Sequence, residues 1–315
     1  MPSRKSPRKG SLQFWPRKKA SKFLPSVNWG AIDSDKSLKG FICYKAGMAS
    51  AYVKDNTPNS MTKGKNIHVP CTLLECPPMK IFSIRFYKNK KVTKDILAEN
   101  LDKELKKKIK IPKKKENKLD TAKIEDYDDV RVIVYSIVKK TGIKKSPDMT
   151  EADIGGKSIE EKISWIKNNL NKEIFVSEIF KAKELVDVRG LTRGKGFSGP
   201  VKRFGIDLKF HKSEKGVRRP GNIGPWHPAR VTFRVPMAGQ LGMFTRVVYN
   251  NKIIAIEKAS EKPLKNLKNY GDIKTEYIIV KGSVQGPVKR QLVLTPALRE
   301  TKKTKKRDFE VIELR

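Results

Sequence analysis

A long and strongly basic stretch, residues 187–246, constrains this chain more than any other feature. From Arg189 to Arg246 it holds thirteen Lys or Arg and only two acids, Asp207 and Glu214, with Gly and Pro spread throughout. Such a segment repels itself and has too few apolar residues to bury a core alone. A polyanion that neutralises the charge is needed to order it. The stretch therefore predicts an extension that penetrates RNA.

The overall charge favours nucleic acid as the partner. The 315 residues carry a net charge of +37, yet 37% of them are hydrophobic, so we expect a folded body with basic appendages. Each neutralised phosphate releases condensed counterions, which favours binding. An anionic membrane is the competing partner. The sequence disfavours it, because it has no apolar run of about 18 residues and no basic amphipathic helix with aromatic anchors.

The cysteines and the N-terminus indicate a reducing, cytoplasmic setting. Cys43, Cys71 and Cys76 form no CxxC pair, and the three His are scattered. We therefore expect no metal site, no cofactor and no disulfide framework. Residues 1–22 lack the apolar core of a secretory signal.

The first 31 residues form a basic tail. They hold eight Lys or Arg and no acid, interleaved with Pro, Ser, Phe14 and Trp15. In isolation such a tail is solvated and disordered, and we expect it to order on its partner. The cations would then contact phosphates, while Phe14 or Trp15 would stack on a base or pack on the body.

Strand patterns follow the tail. Residues 41–53 predict a strand with a break at Gly47, and residues 67–76 and 79–87 predict two more, separated by two prolines. Several short strands punctuated by Gly and Pro indicate a small barrel.

Residues 91–119 predict a helix that ends at Pro112. Its apolar positions recur at helical spacing, and its distal half is rich in Lys, which forms either a solvated face or a phosphate contact. The positions are Ile96, Leu97, Leu101, Leu105 and Ile109.

A nearly neutral block, residues 120–187, carries fourteen acids and twelve bases. Residues 129–138 predict a buried strand by their β-branched content. Ser158 and Glu161 form a capping box before a helix whose apolar stripe is flanked by Trp165, which we interpret as core. The block is interpreted as an α/β insertion that faces away from the RNA.

The C-terminal part again predicts strands. Residues 245–259 predict a hairpin that turns at Asn250 and Asn251, because Asn tolerates positive φ. Residues 277–281 and 290–294 predict two further strands, joined by a loop at Gly286-Pro287, and residues 301–307 are a final basic run. We expect the strands before Lys88 and after Thr245 to close one barrel.

Residues 194–199, Gly-Lys-Gly-Phe-Ser-Gly, match the GxGxxG pattern of dinucleotide-binding folds. That fingerprint needs a strand, a tight turn and a long helix, and Pro200 and Gly205 leave no room for such a helix. The glycines serve either as simple turns or, as we favour, as a loop whose backbone N–H groups approach phosphates.

These motifs together resemble the universal family of the third protein of the large ribosomal subunit. The likeness rests on Phe180, Asp187, Gly190, Thr192, Gly194, Lys195, Gly196, Gly199 and Arg203, and covers nearly the whole chain. The N-terminal basic motifs, the segment 40–48 and the run 221–230, with its Trp226-His227-Pro228 tip, are similar to the archaeal type. Bacterial members carry Gln at that tip, so glutamine methylation is not expected here.

The resemblance implies a mainly β fold with an α/β insertion. The body would be a six-stranded, translation-factor-like β-barrel with a long basic extension loop and a basic N-terminal tail. The predicted boundaries are 1–40 for the tail, 41–90 and 245–300 for the two parts of the barrel, 91–186 for the insertion, 187–244 for the signature loop and central extension, and 301–315 for the C-terminal segment.

The resemblance also implies a function. The expected partners are large-subunit (23S-type) ribosomal RNA, neighbouring large-subunit ribosomal proteins and, indirectly, the tRNA acceptor region, with an early role in assembly. The extension and tail would run toward the peptidyl-transferase centre, with Trp226 at the tip. The predicted RNA contacts are Arg4, Lys5, Arg8, Lys9, Arg17, Lys18, Lys19, Arg189, Thr192, Arg193, Gly194, Lys195, Gly196, Gly199, Lys202, Arg203, Arg218, Arg219, Trp226, His227, Arg230 and Arg234.

Other interpretations stay open beside this one. Trp226 either stacks on a base, worth about 1–3 kcal/mol, or packs on its own loop, and His227 either donates to a phosphate or packs as a neutral ring. Asp207 and His211 are spaced like an acid–base pair, but no nucleophile accompanies them, so catalysis is not expected. The alternative functions are a non-ribosomal basic RNA- or DNA-binding protein and an RNA-modifying enzyme, which would need a catalytic cluster.

Overall fold

The computed structural model describes residues 7–112, 127–156 and 158–315 of the chain, and β-strands dominate it. The strands are β1 (Phe41–Asp55), β2 (Asn66–Cys76), β3 (Met79–Lys88), β4 (Lys91–Leu97), β5 (Asp129–Ser136), β6 (Met149–Asp153), β7 (Leu185–Leu191), β8 (Phe197–Ser198), β9 (Gly239–Gln240), β10 (Thr245–Lys258), β11 (Glu276–Lys281), β12 (Gln291–Pro296) and β13 (Phe309–Leu314). The α-helices are α1 (Ile159–Asn169), α2 (Val176–Ile179), α3 (Pro200–Phe204) and α4 (Lys302–Lys305). The predicted mainly β class is confirmed.

The chain forms two compact units. The larger unit comprises residues 23–190 and 246–315, and the smaller unit comprises residues 1–22 and 191–245. Each is built from two separate stretches of the chain.

The larger sheet of the larger unit has seven strands in the order β12-β7-β10-β11-β2-β1-β13. β1 is long enough to pair with β2 on one side and with two strands in succession on the other. Phe41 pairs with Leu294 of β12, and Ala51 pairs with Leu314 of β13. The register of β1 against β2 shifts between Lys45 and Gly47, where the sequence predicts a break.

A four-stranded antiparallel sheet has the order β4-β3-β5-β6. β3 and β4 form a hairpin across Asn89 and Lys90, whose φ angles of 51° and 60° suit a tight two-residue turn. In β5, Val130, Val132 and Val134 are fully buried and alternate with more exposed residues, as expected of a strand with one core face.

One hydrophobic core joins the two sheets of the larger unit. It includes Phe41 of β1, Ile84 of β3, Val132 of β5, Ile166 of α1 and Leu294 of β12. A second cluster packs Val53, Leu73, Tyr277 and Phe309 together with neighbouring apolar residues. The burial of these side chains away from water provides the main stabilisation of the fold.

A buried ion network ties α1 to the four-stranded sheet. Asp153 is 4% exposed and lies 2.8 Å from Nζ of Lys39 and 3.0 Å from Nζ of Lys162, which also lies 2.7 Å from Asp129. Burial alone would raise the pKa of Asp153, but hydrogen bonds from the two lysines outweigh it, and the pKa is lowered. Asp153 is therefore held as a carboxylate.

Most of the predicted strands and the capped helix are confirmed. β1, β2, β3, β5, β11 and β12 lie where the patterns place them, within a few residues. In α1 the Ser158 hydroxyl accepts a hydrogen bond from the Glu161 N–H at 3.2 Å, and Trp165 packs partly buried against the main core.

The helix predicted over residues 91–119 is wrong over its described part. Residues 91–97 form β4, only a 3-10 turn at Lys103–Lys107 follows, and residues 113–119 lie outside the described range. The tight turn at Asn89-Lys90 brings β4 against β3, and Ile84 pairs with Ile96. Pairing across this hairpin outweighs the helical spacing of the apolar residues.

Two further predictions about the strands are wrong. Residues 245–258 form one strand rather than a hairpin, although Asn250 does have a positive φ of 56°; its N–H donates to Asp187 Oδ1 at 2.8 Å inside the sheet. The strands before Lys88 do not all join those after Thr245, because β3 belongs to the four-stranded sheet. β7 and β13 complete the larger sheet instead.

Cys43, Cys71 and Cys76 are buried and free of disulfides. Within the described ranges, no cluster of three or more His, Cys, Asp or Glu is arranged to hold a metal ion. None of the helices that the structure describes is both long and apolar enough to cross a membrane.

Candidate nucleic-acid interface

The two ends of the basic extension are joined to each other within the smaller unit. The Thr192 N–H donates to the Phe244 carbonyl at 3.0 Å, and the Phe244 N–H donates to the Thr192 hydroxyl at 3.2 Å. Further along, the Lys195 N–H donates to Leu241 O at 3.0 Å, and β8 pairs with β9. The extension therefore begins as a hydrogen-bonded stem.

Glycine is required where the two sides of the stem touch. Gly242 has a φ of +75°, and a Cβ there would lie 2.0 Å from the Arg193 carbonyl oxygen. Gly194 lies opposite Met243, whose Cγ would be 3.0 Å from an added Cβ. Gly242 therefore serves close packing of backbone against backbone, whereas Gly194 packs against the Met243 side chain.

A short helix, α3, follows β8 of the stem and changes the direction of the chain. Pro200 occupies its first turn, and Gly205, with a φ of +67°, ends it. α3 has five residues and ends at Gly205, so the helix that follows the glycine motif is much shorter than the one that the dinucleotide fingerprint needs.

Arg203 braces the stem instead of pointing freely to solvent. Its Nε donates to the Gln240 carbonyl and its Nη1 to the Met237 carbonyl, each at 3.0 Å. Gly239 leaves room for the guanidinium, since a Cβ there would lie 2.9 Å from Arg203 Cζ. Two N–H groups of the Arg203 guanidinium are thus already bonded to carbonyl groups of the protein's own backbone.

The N-terminal tail packs on α3 through Arg17. Its Nη1 donates to the Arg203 carbonyl at 2.5 Å, and its guanidinium lies 4.2 Å from the centre of the Phe204 ring. Burial lowers the pKa of Arg17, and the nearby charge of Arg8 lowers it further. The pKa of Arg203 is lowered first by burial and then by the charge of Arg17. The positive charges of Arg8, Arg17 and Arg203 therefore lie close together in this unit.

Aromatic rings fix the rest of the tail to the extension. Trp15 lies 5.5 Å from the ring of Phe233 and 6.2 Å from that of Phe204. The Ala20 N–H donates to the Met243 carbonyl at 3.0 Å. Trp15 thus packs on protein. Phe204 and Phe233 were not predicted to contact the tail. Aromatic residues are unusual in so polar a stretch, and this could have indicated them.

Polar side chains near the start of the described part of the tail also contact the extension. Arg8 Nη2 donates to the Arg234 carbonyl at 2.8 Å, and Lys9 Nζ lies 3.3 Å from Asp207 Oδ1. The His211 ring instead contacts that of Phe210 in a tilted arrangement, with ring centres 4.3 Å apart. The acid–base interpretation of the spacing between Asp207 and His211 gains no support from these contacts.

The tip of the extension is exposed along its whole length. Every residue from 221 to 234 is exposed, and Trp226 is 88% exposed. The tip contains no regular secondary structure. The alternative in which Trp226 packs on its own loop is therefore wrong.

The predicted contact residues divide into a supporting group and a presenting group. Thr192, Gly194 and Arg203 hold the stem, Gly199 caps α3, and Arg189 donates to the Thr295 hydroxyl at 3.2 Å on the larger unit. Arg4 and Lys5 lie outside the described residues. Gly194 and Gly199 are themselves exposed, and the other exposed members, which form the presenting group, are Arg8, Lys9, Lys18, Lys19, Arg193, Lys195, Gly196, Lys202, Arg218, Arg219, Trp226, His227, Arg230 and Arg234.

Known proteins resemble this chain over nearly its whole length. A family model described as "Ribosomal protein L3" matches residues 1–315. "Large ribosomal subunit protein uL3" of Methanocaldococcus jannaschii is 42% identical over 306 residues, which cover 93% of this chain and 91% of that protein. The protein of the same description from Archaeoglobus fulgidus is 42% identical over 310 residues, which cover 94% and 93% of the two chains.

Proposed function

The chain belongs to the ribosomal protein L3 family, and we propose that it is built into the large ribosomal subunit, where its smaller unit is embedded in ribosomal RNA. It would act there by binding and folding RNA, with an early role in assembly and no chemistry of its own. Neighbouring large-subunit proteins are its expected protein partners.

The observation that carries the proposal is the exposed tip on a braced stem. All fourteen residues from 221 to 234 are exposed and none is buried in a core, yet the stem that supports them is held by backbone pairing and by Arg203. A rigid stem aims the tip, and a basic tip without a core of its own is suited to a polyanionic partner. Ordering the tip would cost conformational entropy, which neutralisation of phosphates offsets.

We further propose that the tip extends toward the peptidyl-transferase centre and helps to position aminoacyl-tRNA, as the family resemblance implies. Trp226 would stack there, since its ring is exposed and its neighbours are Gly, Pro and His. His227 and the exposed arginines around it would contact phosphates or bases.

For the body, we infer that β12, β7, β10, β11, β2 and β1 are the six-stranded barrel of the family. The pairing of β1 with β12 supports this, because the two strands stand at opposite ends of that six-strand order. The extension, predicted as 187–244, is supported by the compact unit that includes residues 191–245.

A salt titration tests RNA binding. We expect the full chain to bind large-subunit ribosomal RNA with a steep salt slope and to prefer it to duplex DNA at equal phosphate and high salt. Replacing Arg193, Lys195 and Lys202 by Ala should flatten the slope by about 3, or about 1 per contact. The matched control replaces Lys63, Lys65 and Lys172, which are exposed on the larger unit.

The outcomes separate the candidate functions. Equal affinities for RNA and DNA that decline together with salt would favour a general basic nucleic-acid-binding protein. An unchanged slope in the first triple variant, or an equal loss in the control, would contradict the assignment of these three cations.

A further inference from the structure

β13, the last strand of the larger sheet, is acidic in a strongly basic chain. It carries Glu310 and Glu313 and no Lys or Arg, whereas the whole chain has a net charge of +37. Both carboxylates are exposed: Glu313 lies 3.0 Å from Nη2 of Arg315 in an exposed ion pair, and Glu310 accepts a hydrogen bond from the Asn56 side chain at 3.3 Å. Ile312 between them is 53% exposed. An exposed acidic and apolar strand repels phosphates, so its partner is unlike that of the extension.

One side of β13 is without a strand partner. It is the terminal strand of the sheet order among the described residues. Arg315 exchanges both backbone hydrogen bonds with Ser50 of β1, and Asp308 O accepts from the Asn56 N–H. In an antiparallel pair, the backbone N–H and C=O groups of successive residues point alternately toward and away from the partner strand. The register of β13 against β1 shifts once, between Glu313 and Val311. The N–H and C=O groups of Val311 and of Leu314 are therefore directed away from β1.

The other two open edges of the main sheets are protected. β4 carries Lys91 and Lys94, and edge lysines oppose the addition of another strand. The end of β6 is covered by residues 36–39, where Leu38 bridges Ile154 and the Lys39 N–H donates to Asp153 O. β13 has no Lys, and within the described ranges no strand or bridge covers its outer side. Its exposed charges are Glu310 and Glu313, which oppose the addition of an acidic strand rather than a basic one.

We propose that β13 accepts an added strand from an extended, Lys- and Arg-rich segment of a neighbouring protein in the large subunit. Main-chain hydrogen bonds along the outer edge would hold the segment. Its basic side chains would face Glu310 and Glu313 across the strands, and apolar ones would lie beside Val311 and Leu314, which are partly buried against the second cluster. The inference rests on the proposed function, because it places the partner in the same subunit.

Photo-crosslinking in assembled subunits tests the inference. A benzophenone amino acid replaces Ile312 in the full chain, large subunits are isolated and irradiated, and the crosslinked species are separated into protein and RNA. We expect a crosslink to a basic protein segment. The same probe at Lys303, exposed on α4, is the positional control, and there we expect RNA.

Charge reversal tests the mode of docking. Glu310→Lys with Glu313→Lys should weaken the protein crosslink about tenfold, because two favourable cross-strand pairs become repulsive. Glu160→Lys with Glu178→Lys makes the same change in net charge at exposed sites elsewhere on the larger unit, and should leave the crosslink unchanged.

Each outcome decides between the two proposals. Subunits that contain the chain but give an RNA crosslink or none at Ile312, or a protein crosslink insensitive to the Glu310 and Glu313 reversal, overturn the inference and leave the proposed function intact. Failure of the full chain to enter large subunits overturns the proposed function, and the inference with it.

Discussion

Removal of the Arg17 side chain should release the N-terminal tail from the extension. Arg17 makes a charged hydrogen bond of 2.5 Å to the Arg203 carbonyl and lies over the Phe204 ring at 4.2 Å. No acidic side chain takes part in these two contacts. Arg17→Ala removes both, and Arg17→Lys keeps the charge but loses the planar group that fits the ring and the carbonyl together.

The expected magnitude follows from these two contacts. A hydrogen bond from a charged donor contributes about 1.5–3 kcal/mol, and a cation–π contact at a partly exposed site about 0.5–1 kcal/mol. Part of this is offset because Arg17 and Arg8 repel each other. A net loss of about 2 kcal/mol corresponds to an increase of about 30-fold in the population of the released tail.

Amide hydrogen exchange in the free, full-length chain measures this release. The reporter is the Ala20 N–H, which donates to the Met243 carbonyl at 3.0 Å and is protected only while the tail is docked. We expect its exchange to accelerate about 30-fold in Arg17→Ala and less in Arg17→Lys. Lys18→Ala removes the same charge from an exposed neighbour and should leave the rate within about twofold.

Salt gives a second and opposite readout. The tail and the extension are both basic, so added salt should screen their repulsion and slow exchange at Ala20, whereas salt weakens RNA binding. Equal acceleration in Arg17→Ala and Lys18→Ala would refute the reasoning, because the ring and carbonyl contacts of Arg17 would then contribute no more to docking than an exposed neighbour that lacks them. Unchanged exchange in Arg17→Ala would refute it as well.

Three further predictions concern the stem, the ion network and the tip. Gly242→Ala should remove amide protection at Phe244, because the new Cβ would collide with the Arg193 carbonyl; intact protection would contradict the close approach. Asp153→Asn should destabilise the larger unit by about 3–5 kcal/mol at pH 7 in urea unfolding, since it breaks a buried pair. The lowered pKa of Asp153 confers stability above its unfolded pKa that is lost as pH falls through the folded value, so variant and wild type should converge below about pH 4, and a constant gap would be inconsistent with this linkage. Trp226→Ala should leave the salt slope of RNA binding unchanged but slow aminoacyl-tRNA accommodation in mutant ribosomes, and normal accommodation would argue against the assignment of the tip.

The strands of the larger unit could be predicted where local pattern and tertiary pairing agree. The β-branched content of residues 129–138 predicted β5, and the burial of Val130, Val132 and Val134 agrees with it. The apolar residues around Ile96 are spaced as in a helix. The segment is nevertheless a strand, because it pairs with β3 in a hairpin, and the sequence pattern does not show this pairing. β13 mixes apolar and acidic residues without strict alternation, because Val311 and Ile312 are adjacent, and it follows directly after a basic run, so it was not predicted.

The candidate interface could be located from the sequence but not divided into roles. Charge and glycine content are local properties, so the basic extension and its tip were predictable. The role of Arg203 depends on carbonyl groups 34 and 37 residues further along the chain, and that of Trp15 depends on Phe204 and Phe233. Such contacts are set by the tertiary path of the chain, which spacing does not specify.

The pairing of Thr192 with Phe244 has a consequence for how this protein can vary. Because the stem already brings its two ends together, the segment between them is a closed loop whose length is largely independent of the body. Doubling such a loop costs only about 0.6 kcal/mol of closure entropy. Insertions and deletions beyond the stem should therefore be tolerated by the fold itself, so that the reach of the tip can change during evolution while the body remains the same.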